Sequence, residues 1–138
     1  MASKAHQFIA DLIARRMNLE GYEVVGFEGA SEVEAIKLKL PPKILRHRPD
    51  LIGIKPNGVA IGEAKTADDL TVRTLEQLQD FTNDTNWSNQ IGHQVFFGIP
   101  MSVQDKFQKI IKDLGVNDEN LIILPVPDRL LPYEENVI

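Results

Sequence analysis

Residues 49–65 read PDLIGIKPNGVAIGEAK, and this stretch decides the fold that the sequence predicts. It contains two short apolar runs separated by residues 55–58 (KPNG), a pattern typical of a β-hairpin. If the two residues at the ends of this turn pair with each other, Asp50 lies directly opposite Glu63 on the neighbouring strand. Lys65 follows two residues after Glu63 and points to the same face. The hairpin is therefore predicted to gather two carboxylates and one ammonium group.

The number of residues in the turn decides whether Asp50 lies on the same face as Glu63 and Lys65. If Asn57 and Gly58 form a two-residue type I′ loop, Asp50 instead opposes Lys65, and the charged side chains still share one face. A three-residue loop that also includes Pro56 would move Asp50 to the other face of the hairpin. Two of these three registers keep the charges together.

The charged residues extend a face of the hairpin that is otherwise apolar. That face carries Ile52, Ile54, Val59 and Ile61. The opposite face of the second strand carries Ala60, Gly62 and Ala64, which favours close packing of a helix. Charges beside apolar side chains are costly unless a cation or tight hydrogen bonds compensate them, so the pattern predicts a cation site. The alternative is a solvated sheet edge on which Lys65 forms a surface ion pair.

The rest of the chain predicts further helices and strands around this hairpin. One helix is predicted at residues 4–18, and a second begins at residues 69–71 and ends near residue 82. A third helix follows a capping box formed by Ser102 and Asp105 and ends at Gly115. Strands are predicted at residues 22–27, 35–40, 50–54, 59–65, 93–99 and 121–124. With residues 35–40 set aside as an extra strand, the order is αβββαβαβ. This order predicts an α/β fold with a mixed sheet and helices on both faces.

Length and composition indicate an ordinary globular chain. At 138 residues, the chain is predicted to form one domain over residues 1–138. It contains no cysteine, which excludes disulfides and thiolate metal sites. We find no apolar stretch long enough to cross a bilayer and no secretory signal, so we expect a cytoplasmic protein that does not enter a membrane.

A basic segment directly precedes Asp50. Lys43, Arg46, His47 and Arg48 lie in a stretch without acids, although the formal net charge of the whole chain is -5. Their position predicts a surface that contacts nucleic-acid phosphates. The alternative is a solvated loop with no ligand.

The spacing of these residues resembles a known family. Pro49-Asp50, twelve intervening residues and Glu63-Ala64-Lys65 are similar to the signature of the PD-(D/E)xK nuclease superfamily, which includes type II restriction enzymes and archaeal Holliday-junction resolvases. The resemblance implies a restriction-endonuclease-like αβββαβ core from residue 4 to about residue 99. It also implies that Asp50, Glu63 and the carbonyl of Ala64 bind Mg²⁺ or Mn²⁺. Lys65 would orient the attacking water or bind the phosphate.

Two further site residues are suggested by the same resemblance. Gln77, followed by Phe81, matches a glutamine that many relatives have in the helix after the motif. Asp11 lies near the position at which relatives place an acidic metal ligand on the first helix, and Glu20, Glu23 and Glu28 are fallbacks for that role. For Asp11, a solvated surface position is the alternative.

The sequence therefore predicts a metal-dependent DNA nuclease, with endonuclease activity expected and a homodimer possible. The alternatives are a noncatalytic nucleic-acid-binding domain and an assembly domain that keep the same fold.

Overall fold

In a computed structural model, the hairpin of residues 49–65 lies inside a five-stranded sheet. The strand order is β1-β2-β3-β4-β5, in which β1, β2 and β3 are antiparallel neighbours and β3, β4 and β5 are parallel. The structure describes residues 3–26, 49–82, 93–116 and 119–132. The strand predicted at residues 35–40 lies outside these ranges, as do Lys43, Arg46, His47 and Arg48.

The observed elements follow the predicted order αβββαβαβ. They are α1 (Lys4–Leu19), β1 (Glu23–Gly26), β2 (Leu51–Lys55), β3 (Gly58–Ala64), α2 (Val72–Thr82), β4 (Gln94–Pro100), α3 (Gln104–Asp113) and β5 (Leu121–Val126). Three short 3₁₀ helices occupy Ala67–Asp69, Met101–Val103 and Asp128–Leu130. The prediction of an α/β fold with a mixed sheet is therefore confirmed.

The register of the hairpin is the first of the three considered from the sequence. Lys55 pairs with Gly58 across a turn formed by Pro56 and Asn57. The ladder ends with Leu51 opposite Gly62. The next position along each strand places Asp50 opposite Glu63, as predicted.

Helices cover both faces of the sheet, because each helix buries one apolar stripe. Ser3 caps α1 by accepting a hydrogen bond from the backbone N–H of His6, and Ile9, Ile13 and Met17 form the buried stripe at helical spacing. These residues pack with Ala60, Ala64 and Phe96 on one face. On the other face, Leu78 of α2 and Phe107 and Ile111 of α3 pack with Phe97 and Ile99. The predicted helix layers are thus present on both sides.

Three glycines allow α1 to approach the sheet closely. A Cβ atom added at Gly98 would lie 2.5 Å from Ile9, and one at Gly62 would lie 2.9 Å from Ile13. A Cβ atom at Gly53 would lie 2.6 Å from Met17. These separations are too short for real carbon contacts, so the helix lies where only glycine fits. The predicted close packing of a helix on the small-residue face is confirmed.

The topology brings several chain segments to one end of the sheet. Parallel strands β3, β4 and β5 all finish at what we call the carboxyl end, and α2 and α3 begin there because they follow β3 and β4. The first helix also begins there. It precedes β1, which runs parallel to β3 because both are antiparallel to β2. Ligand sites in open α/β sheets commonly form at this end.

The predicted capping box before α3 is wrong. The N-cap position is Val103, and it makes no side-chain capping bond. The backbone N–H and the hydroxyl of Ser102 instead donate to the carboxylate of Asp128, at 2.8 and 2.6 Å. The sequence motif failed because a 3₁₀ turn precedes the helix and a distant carboxylate binds the serine.

One proline faces outward from the sheet. The backbone N–H of Val95 in β4 donates to the carbonyl of Asn120, just before β5. Because backbone groups alternate in direction along a strand, the N–H and C=O groups of Ile122, Leu124 and Val126 also point toward β4. The alternate residues, including Pro125, face the side of β5 on which none of the described strands pairs. Proline is tolerated there because its missing N–H would have pointed away from the sheet.

No helix within the described ranges is long and apolar enough to cross a membrane.

Candidate metal and active site

Asp50 and Glu63 lie together at the carboxyl end of the sheet. Asp50 immediately precedes β2, and Glu63 is the penultimate residue of β3. The backbone N–H of Asp50 faces Glu63 Oε2 at 3.4 Å, and Asp50 Oδ2 accepts a hydrogen bond of 2.9 Å from the N–H of Ala64. Each carboxylate thus faces a backbone N–H at the end of the other strand, which holds the two acids side by side.

The Glu63 carboxylate is buried but weakly compensated. Only 2% of the residue is exposed. Gln77 Nε2 donates to Glu63 Oε1 at 3.4 Å, and the ammonium of Lys65 lies 4.0 Å from the same oxygen. Charge-assisted hydrogen bonds are normally about 2.7–2.9 Å long. The protein therefore supplies long contacts where a buried carboxylate requires short ones.

This environment raises the pKa of Glu63 to about 8. Burial is the largest cause because it penalises the charged form, and the negative charge of Asp50 adds to it. Lys65, the N–H of Asp50 and the amide of Gln77 act in the opposite direction. Without a further cation, the protonated form of Glu63 is favoured at neutral pH.

The backbone carbonyl of Ala64 faces the same side as Asp50. The backbone N–H of Lys65 donates to the carbonyl of Gly98 in β4. The backbone N–H and C=O groups of odd-numbered residues at this end of β3 therefore point toward β4, and those of even-numbered residues point toward β2. In a strand, the N–H and C=O of one residue point the same way, and the N–H of Ala64 reaches Asp50. Since β2 begins only at Leu51, the carbonyl has no ladder partner there.

His6 is a site residue that sequence reasoning missed. Its Nε2 atom lies 3.1 Å from Asp50 Oδ2, and its Nδ1 atom is buried without a hydrogen-bond partner in the described structure. The hydrogen bond to Asp50 is the main cause that raises the pKa of His6. One signal in the sequence could have found it, because His6 precedes Ile9 and Ile13 by three and seven residues and so continues the buried stripe of α1.

Asp11, the acid proposed from the first helix, does not reach the site. It is exposed, and it follows His6 by five residues, a rotation of about 140° around the helix axis. The prediction of a metal ligand at Asp11 is therefore corrected. Among the fallbacks, Glu20 pairs with Arg16 at 3.0 Å, Glu23 begins β1 at the opposite end of the sheet, and Glu28 lies outside the described residues.

Gln77 is placed beside Glu63, as the sequence suggested, and it is buried. The side chain of Phe81, its predicted companion, lies outside the described part of the structure. The four basic residues predicted to contact phosphates lie outside it as well. The structure therefore brings together Asp50, Glu63, Ala64, Lys65 and Gln77, and adds His6.

A cleft of about 790 Å³ opens at the carboxyl end of the sheet. His6, Asp50 and Lys65 line one part of it, together with Thr66, Asp68 and Asp69 from the segment after β3. Pro100, Leu131 and Pro132 line another part. The volume lies within the range of binding sites for small ligands and cofactors.

The chain was compared with protein-family models, with curated proteins and with solved structures. None of the three comparisons gives a match. In addition, no group of three or more His, Cys, Asp or Glu side chains within residues 3–26, 49–82, 93–116 and 119–132 is arranged to hold a metal ion. The site must therefore be interpreted from its own chemistry.

Two side-chain carboxylates and one backbone carbonyl are oxygen donors of the kind that Mg²⁺ prefers. Asp50 Oδ1 accepts no hydrogen bond from the described residues, whereas its Oδ2 atom accepts from Ala64 and contacts His6. A small divalent cation needs only one or two protein carboxylates, because it keeps several water ligands. The donor set fits such a cation, and the raised pKa of Glu63 identifies the group whose charge the cation would stabilise.

Proposed function

We propose that this protein is a divalent-metal-dependent nuclease that hydrolyses DNA phosphodiester bonds. The observation that carries the proposal is the buried, weakly compensated Glu63 carboxylate, which accepts a hydrogen bond from the N–H of Asp50 and lies 4.0 Å from the ammonium of Lys65, two residues that line a cleft. A protein that only folds around this site gains nothing from an acid at 2% exposure beside the partly exposed Asp50. A bound cation would explain why the two acids lie side by side.

The fold favours the same proposal. The order αβββαβ, with the Asp before one hairpin strand and the Glu and Lys at the end of the next, fits the restriction-endonuclease-like core that the sequence resembles. The donor set of Asp50, Glu63 and the Ala64 carbonyl would hold Mg²⁺ or Mn²⁺. The ion supplies positive charge to the attacked phosphate and acidifies a water molecule.

The other side chains have separate roles in this proposal. Lys65, partly exposed in the cleft, binds a phosphate oxygen and orients the nucleophilic water. Gln77 restrains the Glu63 carboxylate through its amide. His6 restrains Asp50, leaving Asp50 Oδ1 directed to the cation. These two contacts hold the carboxylates in place from α2 and α1.

The test is cleavage of plasmid, single-stranded, flap and four-way-junction DNA in Mg²⁺ and in Mn²⁺. We expect cleavage that requires the metal and is lost in Lys65→Ala and Asp50→Asn. The matched control is Lys112→Ala, which removes an exposed lysine near the end of α3, away from the carboxyl end. Cleavage that survives equally in Lys65→Ala would mean contamination and would refute the proposal.

One observation favours a second candidate, a noncatalytic nucleic-acid-binding domain. The described residues provide no third acidic or imidazole group arranged as a metal ligand with the pair. Retardation of labelled DNA without cleavage in either metal, across all four substrates, would favour this candidate.

A further inference from the structure

The cleft at the carboxyl end has two chemically different sides. We call His6, Asp50 and Lys65 the polar wall, and Pro100, Leu131 and Pro132 the apolar wall. The polar wall contains the charged groups of the proposed active site. The three side chains of the apolar wall are uncharged, although Asp128 lines the cleft as well, so the wall itself is suited to contact an uncharged, flat or apolar part of a ligand.

The strand order indicates approximately how far apart the two walls lie. Lys65 follows β3, Pro100 ends β4, and Leu131 lies five residues after β5. Neighbouring strands are about 4.8 Å apart, so β3 and β5 are separated by roughly 10 Å. A ligand that touches both walls must therefore have a charged part and an apolar part within one small unit.

Two exposed apolar side chains adjoin the apolar wall. Met101 follows Pro100 and is 46% exposed, and Leu130 precedes Leu131 and is 51% exposed. The other large apolar side chains that are exposed in the described ranges, Leu19 and Leu114, lie at the ends of α1 and α3, at the opposite end of the sheet. Met101 and Leu130 are thus exposed chain neighbours of the apolar wall, although they do not themselves line the cleft.

The apolar wall is held in position by Asp128. Its two carboxylate oxygens accept hydrogen bonds from the N–H and the hydroxyl of Ser102, which join the 3₁₀ helices that carry Met101 and Leu130. The negative charge of Asp128, which also lines the cleft, would repel a phosphate from this side. Asp68 and Asp69 also line the cleft shortly after Lys65, so a phosphate at the polar wall would be attracted only by Lys65 together with a cation held by Asp50 and Glu63.

From this arrangement, we infer that the cleft binds one unstacked nucleotide of a single-stranded DNA segment, with its phosphate at the polar wall and its base against the apolar wall. The inference rests on the proposed function and names its substrate class. In a duplex, both faces of each base are covered by neighbouring bases, so only a frayed or single-stranded base can contact the apolar wall. Leucine, methionine and proline are side chains that proteins insert against unstacked bases.

The experiment measures equilibrium binding of a labelled single-stranded oligonucleotide and of the matching duplex, with Ca²⁺ replacing Mg²⁺ to slow cleavage. The single strand carries 2-aminopurine, whose fluorescence rises when the base leaves its stack. We expect tighter binding of the single strand and a fluorescence rise on binding. In Mg²⁺, we expect a higher kcat/KM for the single strand.

The decisive variant is Leu131→Ala, which shortens a residue of the apolar wall, and the control is Leu114→Ala, which shortens an exposed leucine at the end of α3. We expect Leu131→Ala to weaken single-strand binding about tenfold and to leave duplex binding unchanged. Met101→Ser combined with Leu130→Ser, which changes the chain neighbours of the wall, should act in the same direction but more weakly. Circular dichroism confirms that each variant is folded.

Equal affinity for single strand and duplex would overturn the inference, as would a Leu131→Ala variant that changes single-strand binding no more than Leu114→Ala. Failure of the proposed function has a different signature, which is the absence of metal-dependent cleavage of every substrate. A nuclease that cuts duplex DNA without single-strand preference would keep the proposed function and refute the inference.

Discussion

Replacing Glu63 with glutamine is expected to stabilise the metal-free protein while abolishing its activity. The side chain keeps its shape but loses its charge, which burial and Asp50 disfavour. In the folded protein, the pKa of Glu63 is raised from 4.5 to about 8. Between these values, the folded state holds a proton that the unfolded state has released. The free energy of unfolding of the native protein must therefore fall as pH rises from about 4.5 to about 8.

The size of the effect follows from the same shift. One pKa unit corresponds to about 1.4 kcal/mol, which sets an upper limit of about 5 kcal/mol for the full shift. Because local rearrangement and water penetration reduce such penalties, we expect about 2–4 kcal/mol between pH 5 and pH 8. The difference in stability between Glu63→Gln and the native protein should grow by this amount. Because His6 is present in both proteins, its titration contributes similarly to both stabilities and largely cancels in the difference between them.

The assay is urea unfolding at pH 5, 6, 7 and 8 in EDTA, followed by the same series in Mg²⁺. The matched control is Glu76→Gln, the same substitution at an exposed position of α2. We expect the pH dependence of the native protein to shrink in Mg²⁺, since the cation stabilises the charged carboxylate. A stability difference that stays constant from pH 5 to pH 8 would refute the electrostatic description of Glu63.

Three other results are expected. Mg²⁺ should raise the melting temperature of the native protein, by an amount equivalent to about 3 kcal/mol at one hundred times Kd, but not that of Asp50→Asn; equal shifts would place the cation elsewhere. Gly98→Ala should lower the free energy of unfolding by about 1–3 kcal/mol in urea and reduce cleavage, because a Cβ atom displaces α1 and with it His6; unchanged stability would contradict the close contact. Gln77→Leu should raise the pKa of Glu63 and weaken Mg²⁺ binding measured by calorimetry, and unaltered binding would exclude the positioning role.

The hairpin could be predicted from sequence because its determinants are local. Alternation of apolar residues indicated the faces, and the observed turn at Pro56 and Asn57 is one of the two turn lengths that keep Asp50 on the face of Glu63. The helical spacing of Phe8, Ile9, Leu12 and Ile13 likewise predicted α1 to within one residue. Periodicity and turn chemistry act over a few residues, so a single sequence contains them in full.

The rest of the site depends on contacts between distant segments. The contact of His6 with Asp50 spans 44 residues and requires the first helix to begin at the carboxyl end of the sheet. Asp11 occupies the solvated position that was its alternative, because an acid on the first helix can still lie off its buried stripe. Ser102 was wrong because Asp128, distant in sequence, binds it more favourably than its own helix does. The extent of burial of Glu63 also depends on α2, whose position no local pattern specifies.

The outward-facing proline of β5 bears on how copies of this chain behave at high concentration. Leu121, Ile122, Ile123 and Leu124 form an apolar run on a strand at the side of the sheet, the kind of segment that recruits a strand from another molecule. Pro125 removes one donor from the side of β5 that no described strand covers, and so interrupts the template for cross-chain pairing. Replacement by valine would restore an uninterrupted row of donors, and aggregation would then compete with folding.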